Sequence, residues 1–82
     1  MYYEYCTIGD DVRVMYTTWE NESTAIRVEA PNSKVLDCIV PGYKIINVVG
    51  MSELEVADLM DFIHDNVDLI VTYAMNGGES YA

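Results

Sequence analysis

Basic residues are scarce in this chain, and all of them lie in its first 44 residues. The 82 residues include four Lys and Arg against 14 Asp and Glu, which gives a formal net charge of −10 at pH 7. No lysine or arginine follows Lys44. Contacts with DNA, RNA or anionic lipid need clustered Lys and Arg, so this scarcity argues against direct binding of nucleic acid or a membrane surface.

Long apolar runs and several motifs are also missing. No apolar run is long enough to cross a membrane, and the N-terminal stretch lacks the basic start and apolar core of a signal peptide. We therefore expect a cytoplasmic location, where Cys6 and Cys38 are reduced thiols, with a disulfide as the alternative. The sequence has no zinc-binding spacing and no phosphate-binding glycine loop.

The acidic residues that are present are unevenly placed along the chain. Residues 1–49 hold seven acids and all four bases, a net charge of −3, whereas residues 50–82 hold seven acids and no base. A charge of this size favours solubility but costs stability through self-repulsion. The second part of the chain is therefore the place to look for an acidic surface.

The first 50 residues predict an antiparallel β-sheet. Stretches in which apolar and polar residues alternate, as in Val12, Val14 and Tyr16 against Arg13 and Met15, are separated by turn residues. Short strands joined by tight turns are typical of a β-meander, here of four or five strands. The predicted strands are residues 1–8, 12–19, 24–30, 35–40 and 43–49.

Residues 52–76 predict one amphipathic helix. Ser52 and Glu55 match a capping box, with Ser52 as N-cap. Apolar residues then recur at the three-and-four spacing of one helix face, at Val56, Leu59, Met60, Ile63, Val67, Ile70 and Ala74. Gly77-Gly78 would end the helix, leaving 77–82 as a tail. The sequence thus predicts a single α+β domain over 1–82, a meander packed by one long C-terminal helix.

Four aspartates form an acidic row on this helix: Asp58, Asp61, Asp65 and Asp68. Their steps of three, four and three place them on one face, and Glu55 extends the row by one turn. One interpretation is an ordinary solvated face. The other is a binding surface, because a solvated face normally mixes Glu with Lys, and Asp is a poor residue for a helix interior. Carboxylates roughly 5 Å apart along the axis approach the spacing of backbone phosphates.

His64, the single histidine, borders the acidic row. A surface histidine is the simplest interpretation. A metal site of Asp61, His64 and Asp68 is an alternative, but comparable carboxylate–histidine sites take ligands from several helices, and one is predicted here. Pairing of Cys6 or Cys38 with His64 for nucleophilic catalysis has no local support. We therefore predict no catalytic residue, no metal and no cofactor.

Seven tyrosines and Trp19 exceed what one small core needs. Packing on the sheet accounts for most of them, whereas Tyr3, Tyr5 and Tyr16 would alternatively form an exposed aromatic face on the first hairpin, suited to an interface. An unprotected first or last strand would also allow pairing with a second copy, as a homodimer.

Small size, acidity and the Asp58–Asp68 row resemble the anti-CRISPR proteins and other phage-encoded inhibitors that act as nucleic-acid mimics. The resemblance implies a non-enzymatic inhibitor that docks its carboxylates on the basic nucleic-acid-binding surface of a partner, such as a Cas effector. The partner-binding residues would be Glu55, Asp58, Asp61, Asp65 and Asp68. The alternatives are a mobile-element or bacterial domain acting through its sheet, as a homodimer or protein-interaction module, and a small metal-dependent enzyme.

Overall fold

A computed structural model describes residues 2–20 and 23–75. It contains five strands followed by one helix: β1 Tyr3–Ile8, β2 Val12–Thr18, β3 Thr24–Ala30, β4 Lys34–Val40, β5 Lys44–Val49 and α1 Glu53–Met75. The α+β class and the five-strand meander are confirmed. The predicted helix end at 76 and the tail 77–82 lie outside the described residues. No helix within the described part is long and apolar enough to cross a membrane.

The five strands form one antiparallel sheet in the order β1-β2-β3-β4-β5. Each strand pairs with its neighbours in the chain, because turns of a few residues leave no other partner within reach. Gly9 and Gly42 occupy two of these turns at φ 63° and 98°, where a side chain would be strained. The edge strands are β1 and β5, and both contain a bulge, at Tyr5 in β1 and at Ile46 in β5.

Helix α1 lies across one face of the sheet and comes closest to β2. The buried core between them is formed by Val14, Tyr16, Ile26, Val28, Leu36, Cys38, Val40, Ile63, Ile70 and Ala74. Every residue of the predicted apolar helix face is buried or half-buried, which confirms that prediction. Full burial of one large aliphatic side chain contributes roughly 1.5–3 kcal/mol, so this contact holds the helix on the sheet.

The interpretation of Tyr3, Tyr5 and Tyr16 as an exposed aromatic face is wrong. Tyr16 is fully buried, and its ring lies 6.4 Å from that of Tyr73 in α1. Tyr5 alternates with Glu4 along β1 and so faces the helix, where its ring lies 5.9 Å from the same Tyr73. Tyr5 also donates a hydrogen bond to Asn66 Oδ1 at 2.8 Å. Two of the three tyrosines therefore join the sheet to the helix.

The sheet face away from α1 is shielded by charged side chains. Met15 lies on this face, as predicted, but it is only 6% exposed. Glu4 and Arg27 lie directly opposite Met15 on the two neighbouring strands. Their charges are paired, since Arg13 lies 2.6 Å from Glu4 and Arg27 lies 3.1 Å from Asp37. The aliphatic stems of such side chains cover apolar surface while their charged ends pair with one another.

Candidate interaction surface

The capping box fixes where α1 begins. Ser52 Oγ accepts a hydrogen bond from the Glu55 backbone N–H at 3.2 Å, and Glu55 Oε1 accepts one from the Ser52 N–H at 3.2 Å. This reciprocal pair satisfies two of the free donors at the helix N-terminus and confirms the prediction. Because the start is fixed, the rotational position of every later helical residue is fixed as well.

The acidic row lies on the solvent side of α1. Asp58, Asp61, Asp65 and Asp68 are all exposed, whereas Ile63 and Ile70 on the opposite side are fully buried. The row extends over ten residue steps, from Asp58 to Asp68, which is about 15 Å along the helix axis. The four carboxylates predicted from their spacing therefore do share one accessible face.

No cation balances this row within residues 2–20 and 23–75. None of the four aspartates lies within ion-pair distance of a basic side chain there. Three of the four bases are paired elsewhere: Arg13 with Glu4 and Glu29, Arg27 with Glu29 and Asp37, and Lys34 with Glu55. Like charges three or four residues apart destabilise a helix by a few tenths of a kcal/mol per pair. A pair of opposite charges at the same spacing stabilises it by about the same amount.

Glu55 was predicted to extend the acidic row, but its surroundings differ from those of the four aspartates. It is half-buried, and its Oε2 accepts a hydrogen bond from Lys34 Nζ at 2.9 Å. This bond, with the one from the Ser52 backbone, lowers the pKa of Glu55. Glu55 therefore acts as a helix cap and as a link to β4, and of the five residues predicted to bind a partner only the four aspartates remain uncompensated.

His64 lies beside the acidic row and contacts an aromatic ring. Its imidazole stacks on the Tyr43 ring with centroids 5.1 Å apart and an angle of 25° between the planes. Among the described residues, no group of three or more His, Cys, Asp or Glu side chains is arranged to hold a metal ion. The stacking contact places His64 as a link between α1 and the turn before β5.

Cys6 and Cys38 are free thiols on separate strands. β1 and β4 are three strand spacings apart, about 14 Å, whereas a disulfide needs Cα atoms within about 7 Å. Burial raises the pKa of the Cys38 thiol to about 11, with a smaller contribution from the Asp37 carboxylate. A thiol with this pKa is almost entirely protonated at neutral pH and is a poor nucleophile.

Strand β5 forms a second surface, and it is the last of the two edge strands that the sequence named as open to pairing with a second copy. All six of its residues are exposed, including four apolar side chains: Ile45 at 42%, Ile46 at 47%, Val48 at 41% and Val49 at 47%. They remain open because α1 lies closest to β2, three strands away from β5 in the sheet. The signal in the sequence is a run without any acid, from Cys38 to Ser52.

The chain is thus a five-stranded meander with a helix on one face, an uncompensated acidic row and an apolar edge strand. A scan against protein-family models, a search of the curated proteins and a search of the solved structures each found no match. Function is therefore inferred from the chemistry of the two surfaces themselves.

Proposed function

We propose that this chain is a non-enzymatic binding protein that docks the acidic row of α1 on the basic, nucleic-acid-binding surface of a partner protein and so inhibits it. The proposal is supported by the exposure and the unbalanced charge of the acidic row. Its four carboxylates are exposed on one helix face, and no basic side chain within the described residues pairs with them. A partner with clustered Lys and Arg supplies the charges that the chain itself does not.

The charge density of the row indicates which basic surface it fits. Its carboxylates follow at steps of three and four residues, or about 4.5 to 6 Å along the helix axis. A DNA duplex carries one charge per about 1.7 Å of axis, and each of its strands one per about 3.4 Å. The row is thus closer to a single backbone than to a duplex, so we propose a partner groove that holds one nucleic-acid strand.

The composition of the helix face also supports a binding role. Asp is a poor helix former in a helix interior, and Asp65 and Asp68 lie too far along α1 to gain from the helix dipole. Lys at either position would stabilise the helix more. Residues that lower helix stability without a visible structural benefit are expected at functional surfaces.

The proposal has consequences for location and competition. The chain would act in the cytoplasm, where nucleic-acid-binding proteins such as a Cas effector are found. It would bind neither nucleic acid nor membrane directly, since no Lys or Arg follows Lys44. Association would be fast at low salt and would weaken as salt rises. Nucleic acid and this chain would exclude each other from the same partner surface.

A competition experiment tests the proposal. The immobilised chain is incubated with bacterial lysate at low salt, and bound protein is eluted with a single-stranded DNA oligonucleotide. We expect DNA to release a basic protein, and we expect the variant with all four aspartates of the row changed to Lys to capture none. Capture that survives the four substitutions, or that DNA does not reverse, contradicts the proposal. Circular dichroism establishes that the variant is folded.

A second candidate function acts through the sheet. The exposure of β5 favours it, because an apolar edge strand is suited to pairing with another strand. In that case the aspartate variants would keep full activity, whereas changes in β5 would remove it.

A further inference from the structure

The outer edge of β5 has the features of an open strand-pairing site. β5 is the last strand of the sheet and pairs with β4 along its other edge. Strands at a sheet edge present unpaired backbone N–H and C=O groups to any extended segment that approaches. Four of its six side chains are β-branched and apolar, which suits them to a neighbouring strand.

The two edges of the sheet differ in how they are protected. In β1, Tyr5, Cys6 and Ile8 are half-buried in contacts with the core, and Glu4 is held by Arg13. In β5, no residue is buried, and the segment from Ile45 to Val49 carries no charge. Charged residues, cover by a helix and bulges are the usual means of protecting an edge, and over these five residues β5 has the bulge at Ile46 but neither of the other two.

The charge of the chain indicates what pairs with this edge. A basic partner is drawn to the acidic row, whereas a second copy, which also carries −10, is repelled by it. The acid-free run from Cys38 to Ser52 contains β5, so two copies that meet at the β5 edge bring no carboxylate of either β5 strand into the contact. A two-fold axis brings the same patch of both copies together, which an apolar patch of this kind satisfies by itself.

We propose that β5 pairs antiparallel with β5 of a second copy, forming a continuous ten-stranded sheet across a two-fold axis. Ile45 and Val48 lie opposite Cys38 and Leu36, on the face covered by α1. A register that aligns Ile45 with Val48 of the second copy therefore matches apolar side chains on one face. Lys44 then lies next to Val49 on the other face.

The dimer has a salt dependence opposite to that of partner binding. A six-residue strand gives a small interface, so the dimer is weak and forms at micromolar concentrations or above. Salt screens repulsion between two acidic chains over about 10 Å at 0.1 M, so the dimer becomes stronger as salt rises. The proposed binding of a basic partner becomes weaker, so failure of one proposal is distinguishable from failure of the other.

Sedimentation velocity of the full chain, from low micromolar to millimolar concentration and at low and high salt, tests this proposal. We expect a species of twice the 9.3 kDa chain mass that grows with concentration and with salt. Ile46→Lys and Val49→Lys should each raise the dissociation constant about tenfold or more, because every substitution occurs twice in the dimer. Val49→Thr keeps the β-branched shape and should raise the dissociation constant less. Because this substitution disturbs the strand little, it separates weaker pairing from misfolding.

Leu69→Lys is the matched control, since Leu69 is 53% exposed on α1 and the substitution adds the same charge. This variant should dimerise at least as well as the unmodified chain. A chain that stays monomeric at every concentration and salt level overturns the proposal. So does a dimer that persists in Ile46→Lys and Val49→Lys, or one that weakens with salt.

Discussion

Lys34 Nζ lies 2.9 Å from Glu55 Oε2, which joins the start of β4 to the first turn of α1. The other oxygen of the same carboxylate closes the capping box with Ser52. Glu55 therefore neutralises its charge within the chain, one turn before the acidic row begins. The four aspartates of the row remain exposed, while Glu55 fixes the start of the helix that carries them.

This contact predicts an acid-sensitive contribution to stability. The Lys34 bond lowers the pKa of Glu55 below its ordinary value of 4.5, so the ionised form stabilises the fold. That contribution is complete above pH 4.5 and is lost as the pH falls through the lowered value. We expect Glu55→Gln to lower the urea midpoint at pH 7 and to match the unmodified chain well below pH 4.5. Glu53→Gln is the control, and an equal loss at both pH values would contradict this explanation.

The acidic row predicts that charge reversal stabilises the fold. Asp65 lies four residues after Asp61 and three before Asp68, so Asp65→Lys converts two repulsions into attractions. Lys is also the better helix former, and together these effects amount to about 0.5–1 kcal/mol. Thermal unfolding should show a higher midpoint. Asp10→Lys, in the turn after β1, makes the same charge change away from the row, and an equal rise in that control would place the effect in net charge alone.

The helix-to-sheet hydrogen bond gives a third prediction. Tyr5→Phe leaves Asn66 Oδ1 without the donor that it has at 2.8 Å, while Asn66 Nδ2 keeps its bond to the Phe62 carbonyl. The loss of one such bond costs about 1 kcal/mol. Urea unfolding should show this decrease. Tyr3→Phe removes the same hydroxyl from a residue that is 38% exposed, and it should leave the midpoint unchanged. If the two substitutions lowered the urea midpoint equally, the hydrogen bond from Tyr5 to Asn66 would not explain the loss of stability.

Local signals explain how much of the fold the sequence predicted. The helix start follows from Ser52 and Glu55, which contact each other across three residues. The strand ends follow from turn residues such as Pro41-Gly42, whose conformational preferences act locally. The acidic row was also predictable, since the spacing of residues on one helix determines which of them share a face.

Contacts between distant parts of the chain explain what the sequence did not predict. The burial of Tyr5 depends on its contacts with Tyr73 and with Asn66, 61 residues later. Burial of Met15 depends on Glu4 and Arg27 from the neighbouring strands. The exposure of β5 depends on where α1 crosses the sheet, which no local pattern encodes.

Burial of Cys38 predicts slow thiol chemistry. Its pKa of about 11, against an ordinary value of 9.0, means that the folded state resists ionisation and that stability falls as the pH rises from 9 toward 11. In the native chain, iodoacetamide should modify the half-buried Cys6 well before Cys38, and urea should make both react at similar rates. Mass spectrometry of the digested chain measures both sites. Equal native rates would show that Cys38 is accessible.

The central claim is that the position of the four aspartates, and not net acidity, binds a basic partner. The most direct measurement compares two double variants with equal charge change, Asp61→Lys with Asp65→Lys and Asp10→Lys with Asp11→Lys, for affinity to the DNA-released partner across a salt series. The first pair should lose about tenfold or more of the affinity at low salt and show a flatter salt dependence. The second pair should bind like the unmodified chain. Equal losses in the two pairs would contradict the claim.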